Sequence, residues 1–121
     1  MEVNNINPDA GTLSTAERNW FYQIRTDETP STEPKEVLDI IKKYDGYYLG
    51  DTSKKNIYLT FDEGYENGNT GKILDILKNN NVKAAFFVTA PYIKTNKDLI
   101  LRMVNEGHLV CNHSAHHPSM K

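Results

Sequence analysis

Residues 58–68 read YLTFDEGYENG: a short, β-favouring apolar run stops at two acids, Asp62 and Glu63, with a glycine directly behind them. Further along, NHSAHHPSM places His113 and His117 four residues apart. That spacing puts both imidazoles on one side of a helical turn. Pro118 disfavours helix at His117, which leaves a single turn or an irregular loop. Two histidines facing a carboxylate from a neighbouring strand end would make a three-ligand site for a divalent metal. A catalytic zinc takes three protein ligands and keeps one position for water. The bound water becomes acidic enough near neutral pH for a nearby carboxylate to remove its proton. Such chemistry asks two acids to do different jobs, one on the metal and one free as base, and Asp62 and Glu63 are available to divide it. Side chains alternate along a strand, so both acids face one cavity only if the chain turns where the strand ends.

Each feature taken singly has a plainer reading. Two acids at a strand end also suit nearby helix N-termini or solvent, and an i, i+4 histidine pair is weak evidence for a metal. Their joint appearance at strand ends of one sheet is what points to a site. His116 is expected to point away from the pair into solvent. His108 opens a strand and is read as a structural, hydrogen-bonded histidine. Thr89 suits either a local hydrogen bond or contact with substrate.

The elements that must position these groups follow from periodicity. KEVLDIIKKY carries Val37, Leu38, Ile41 and Tyr44 at helical spacing, preceded by Ser31, Thr32 and Pro34 and stopped by Asp45-Gly46. NIYLTF (56–61) reads as a buried strand. TGKILDILKNN follows as a helix with Ile73, Leu74, Ile76 and Leu77 on one face and Thr70 as N-cap. VKAAFFVTA (82–90) is a second strand. NKDLILRMVNEG is a further helix, with Leu99, Ile100, Met103 and Val104 apolar and Gly107 at its end. HLVCN (108–112) is a third strand. This alternation predicts an α/β fold with a parallel sheet and helical crossovers. In such folds chemistry collects at the carboxyl ends of the strands, here Asp62-Glu63, Thr89-Ala90 and Asn112-His113.

Residues 1–34 are polar and proline-punctuated and read as an N-terminal extension to a domain over 35–121. Within the extension, NWFYQI (19–24) is expected to pin the arm by its aromatics, with surface packing the main reading for Trp20 and substrate stacking the other. The 121 residues, 25% charged and 38% hydrophobic, suit one modest globular domain. A net charge of −2 without a basic cluster argues against a nucleic-acid partner. The longest apolar run, AAFFV, is far too short for a membrane span. The N-terminus lacks the basic and apolar regions of a signal peptide. A single cysteine, Cys111, forbids an internal disulfide and reads as a buried structural thiol.

TFDEG followed by HSAHH resembles the first two motifs, TFDDG and H(S/T)xxH, of the NodB-homology polysaccharide deacetylases, carbohydrate esterase family 4. AAFFVT and MVNEGHLVCNHS are similar to that family's second strand and the helix–strand after it. YYLGDTSKKNIYLTFDEGYENG, with NW upstream, is most similar to the muramic-δ-lactam de-N-acetylases, which act on peptidoglycan during spore cortex formation. The resemblance spans roughly residues 19–121.

The resemblance implies the fold of an irregular (β/α) barrel and the hydrolysis of N-acetyl groups on peptidoglycan or another N-acetylated glycan. It makes Asp62 the general base and His113 and His117 ligands of a divalent metal, expected to be zinc. Glu63 stands where the motif carries the acid that is the third ligand, and it is longer by one methylene. Later family motifs, with an arginine near the base and a histidine general acid, do not occur in the chain. The chain is therefore expected to be the N-terminal part of a larger enzyme, incomplete or inactive by itself. Its open sheet edges invite self-association. The substrate implies an extracellular or cell-wall location. Two other readings compete: a non-catalytic carbohydrate-binding or interaction fragment, and a two-histidine, one-carboxylate iron oxygenase, whose usual β-barrel scaffold does not match the alternating pattern.

Overall fold

The computed structural model describes residues 16, 21 and 23–118; Trp20 and Tyr22 lie outside them. The chain divides into two compact units, Met1–Leu49 with Ser119–Lys121, and Gly50–Pro118.

Among the described residues of the first unit there is one helix, α1 (Lys35–Lys43). Pro34 starts it, its carbonyl accepting the Val37 and Leu38 amides at 2.9 and 3.1 Å. The helix stops where Asp45 adopts a left-handed conformation (φ 53°) and the Gly46 amide returns to the Ile41 carbonyl at 2.8 Å. The stop at Asp45-Gly46 is the one the sequence predicts. Val37, Leu38 and Ile41 are half-buried, whereas Tyr44 is exposed. In the polar arm before α1, Phe21 and Ile24 are exposed.

The second unit is a three-stranded parallel sheet of β1 (Thr60–Glu63), β2 (Ala85–Val88) and β3 (Leu109–Asn112), in that spatial order. Between them run α2 (Thr70–Asn79), α3 (Ala90–Thr95) and α4 (Lys97–Asn105). The parallel α/β pattern is thus as expected, with several differences in detail. β1 begins at Thr60, later than the predicted 56–61. Ile57, Tyr58 and Leu59 precede it and are exposed, because β2 meets this edge only from the bond between the Ala85 amide and the Leu59 carbonyl onward. β2 ends at Val88, and Thr89 becomes the N-cap of α3, with Pro91 early in that helix where its missing amide costs nothing. Asn69, not Thr70, is the N-cap of α2, and Ile76 of α2 and Val104 of α4 face solvent.

The core lies on one face of the sheet. Phe61, Phe86, Val88 and Val110 point into it and meet Leu74 and Leu77 of α2, Tyr92 of α3 and Met103 of α4. Phe86 is fully buried, stacks on Phe61 with ring centroids 4.9 Å apart, and meets the edge of His108 at 5.4 Å. Burying a side chain of this size contributes about 1.5–3 kcal/mol. Arg102 joins α4 to α2, donating to Asp75 Oδ1 at 2.6 Å and to the Gly71 carbonyl at 3.1 Å. It also donates to Glu106 Oε1 at 2.7 Å. On the opposite face of the sheet Thr60, Asp62 and Leu109 are exposed, and Cys111 is half-buried, not buried.

Candidate active site at the strand ends

Backbone bonds extend the sheet past its last regular residues. The Thr89 amide donates to the Glu63 carbonyl at 3.2 Å and the His113 amide to the Val88 carbonyl at 3.1 Å. Asp62, Thr89 and His113 therefore sit at one end of the sheet, the carboxyl end.

His113 and His117 come together, with ring centroids 4.6 Å apart and planes tilted by 55°. The means is a pair of side-chain turns rather than a helical turn. Asn112 Oδ1 accepts the Ser114 amide at 2.7 Å, and Ser114 Oγ accepts the His117 amide at 2.8 Å. Ser114 and His117 both take left-handed backbone angles, φ 65° and 51°. Such angles are uncommon for residues other than glycine and cluster at functional sites. His116 is exposed, as expected.

Asp62 Oδ2 lies 3.8 Å from His113 Nε2. The two residues belong to β1 and to the exit from β3, with β2 between them; they are not on neighbouring strands. They meet because Asp62 points to the sheet face opposite the core, where the two side chains together span the end of β2. The carboxylate is largely exposed.

Glu63 takes the other direction. Its register partner is Val88, 2% exposed, and it shares a face with Phe61. Burial, followed by the charge of Glu66, pushes its carboxyl above the usual range, and the Thr70 hydroxyl pulls it back. Nearby, Glu66 organises the turn between β1 and α2. Its Oε1 accepts the Gly68 amide at 2.5 Å and the Thr70 amide at 3.4 Å. Its Oε2 accepts the Tyr92 hydroxyl at 2.9 Å. Hydrogen bonds, led by that from Thr70, hold the Glu66 carboxyl below its ordinary value. Tyr92 is also hydrogen-bonded to Thr70 Oγ1 at 3.1 Å, and burial raises its phenol strongly. Glu66 and Tyr92 were not apparent from the sequence. An acid four residues before a helix start, and Pro91 beside Tyr92, are the traces they leave there.

Among the described residues no three His, Cys, Asp or Glu side chains converge closely enough to hold a metal ion. The paired imidazoles are suitable donors for a divalent cation, with Asp62 beside them and Glu63 apart. Thr89 Oγ1 donates to the Gly64 carbonyl at 3.3 Å, so this hydroxyl fastens the loop after β1. His108 is structural: its Nδ1 accepts the Ala84 amide at 3.2 Å, and burial holds its pKa below the ordinary value. No described helix is long and apolar enough to cross a membrane.

Residues 49–121 match the polysaccharide deacetylase family. The chain is 48% identical over 102 residues to the peptidoglycan-N-acetylmuramic acid deacetylase PdaA of Bacillus subtilis, covering 84% of this chain and 39% of that protein. It therefore spans about two-fifths of this relative's length. The solved structure of Bacillus subtilis PdaA, a family 4 carbohydrate esterase, superposes with a TM-score of 0.82 at 46% identity, over 88% of this chain and 45% of that one. A family 4 carbohydrate esterase from Bacillus anthracis gives a TM-score of 0.73 at 52% identity, over 87% of this chain and 46% of that one.

Proposed function

The chain belongs to the polysaccharide deacetylase family, and on that premise we propose that it serves the hydrolysis of N-acetyl groups on peptidoglycan, on muramic acid residues in particular. The observation that carries this reading is the approach of Asp62 to His113 at 3.8 Å, with His117 packed against His113, at the carboxyl end of the sheet. The sugar preference rests on the likeness to PdaA.

In this reading Asp62 is the general base. Its carboxylate takes a proton from water, the oxygen attacks the carbonyl carbon of the acetyl group, and the carbon–nitrogen bond breaks as that proton is returned to the departing nitrogen, leaving acetate and a free amine on the sugar. A base within hydrogen-bonding reach of the water contributes about 10²–10⁴-fold to such a step. His113 and His117 would hold a divalent cation, expected to be zinc. When bound, that ion supplies acidity to water and polarises the acyl oxygen. Ser114 and Asn112 keep the two imidazoles together, so less ordering is left for the moment of binding.

Residues 35–121 would form part of the deacetylase domain, with 1–34 as an extension. The place of action is the cell wall. The test is acetate release from muropeptides by the protein, in the length the cell makes it, and by its Asp62→Asn variant. The variant is expected to be nearly inert, and equal activity in the two would overturn the assignment.

A further inference from the structure

The pleat of β1 sends its two terminal acids to opposite sides of the sheet. Asp62 is in register with Phe87 and, one strand on, with Cys111. Glu63 is in register with Val88 and Asn112, at the rim of the core. A carboxylate at the edge of an apolar layer needs polar partners, since an uncompensated buried charge is costly. The partners on that side are the hydroxyls and carboxylate already in a closed cluster: Thr70, 3% exposed, Tyr92, 1% exposed, and Glu66. Thr70 lowers the carboxyls of both Glu63 and Glu66, which places the two acids on one side of it. The extra methylene of glutamate over aspartate extends the carboxylate by roughly one carbon–carbon bond, about 1.5 Å, on the face of the sheet where this cluster lies.

We infer that Glu63 belongs to the buried polar cluster of Thr70, Glu66 and Tyr92 and leaves His113 and His117 to bind a cation without it. This inference builds on the deacetylase reading, in which the family motif carries an aspartate at the position of Glu63. The glutamate here anchors the turn that follows β1, and through it the backbone that presents Asp62. The site then has two imidazoles and an exposed acid in place of a three-ligand set.

Two measurements on the chain test this. Zinc titration by calorimetry compares the wild type with Glu63→Gln and His113→Ala. Glu63→Gln is expected to leave the affinity unchanged, whereas His113→Ala weakens it by roughly 10- to 100-fold, the scale of a lost metal-site group. A loss in Glu63→Gln as large as that in His113→Ala overturns the inference. Thermal melts of Glu63→Gln, Thr70→Val and the double variant form the second arm, with the loss in Tm expected to be smaller in the double variant than the two single losses combined. Additive losses overturn membership of the cluster. If the wild type binds no zinc, the metal-dependent reading of the site fails, and the melts alone decide the place of Glu63.

Discussion

Asp62 and His113 approach to 3.8 Å although a whole strand, β2, lies between the segments that carry them. The approach requires Asp62 to point away from the core and His113 to be the first residue beyond β3. A one-residue shift in register would send Asp62 into the apolar layer and bring Glu63 out in its place. The register Phe61 with Phe86 and Val110 is held by the core those side chains fill. Packing on one face of the sheet thereby sets the chemistry offered on the other.

Asp62→Asn is expected to lower acetate release by about 10²–10⁴-fold, the usual contribution of a general base. Because Asp62 is exposed, the same variant is expected to keep the wild-type circular dichroism and Tm. A fall in Tm parallel to the fall in activity would point to folding instead.

The two exposed histidines of the final loop are expected to differ. His117→Ala removes the ring packed at a tilt against His113 and should weaken zinc binding, whereas His116→Ala should leave it unchanged. Calorimetric titration of the two variants decides this. A chelator should abolish acetate release by the wild type, and restoring zinc should recover it.

Tyr92→Phe strips one hydroxyl from the cluster and leaves Glu66 Oε2 and Thr70 Oγ1 without it. An expected loss of about 1–3 kcal/mol follows from orphaning buried polar groups, to be read from urea denaturation. A midpoint equal to that of the wild type would mean that water replaces the hydroxyl at no cost.

His108 gives stability a pH dependence with a definite sign. Neutral His108 accepts the Ala84 amide at Nδ1, and protonation there would break that bond. Burial and the charge of Lys83 lower its folded-state pKa, with Glu106 opposing and Arg102 adding to the lowering. Between that lowered value and the unfolded value of about 6.5, the unfolded chain binds more protons. Stability therefore rises with pH across this window and levels off above it. Denaturation midpoints measured on both sides of the window should show the slope, and His108→Gln should flatten it.

The strand–helix alternation was legible because each helix keeps an apolar stripe: Leu74 and Leu77 in α2, Met103 in α4. The start of β1 was not. Ile57, Tyr58 and Leu59 have β propensity, but among the described residues no strand pairs with them, and propensity without pairing does not make a strand. The helix α3 was hidden because VTA continues the apolar run of β2, and only Pro91 signals the change. The histidine pair was anticipated from helical spacing, while the structure achieves it through Asn112 and Ser114, which are turn-forming residues in plain view. The separation of Asp62 from Glu63 turned on whether the chain bends at the strand's end. Both acids stay within the regular strand, so the alternation of side chains prevails.

Cys111, in register with Phe87 and so with Asp62, faces the same side of the sheet as the proposed base, two residues before His113. It is also the chain's single thiol. A fluorophore or nitroxide attached through it would report on that surface without any engineered cysteine. Its alkylation rate, followed as glycan is added, would act as a natural footprint of whatever comes to lie across the strand ends.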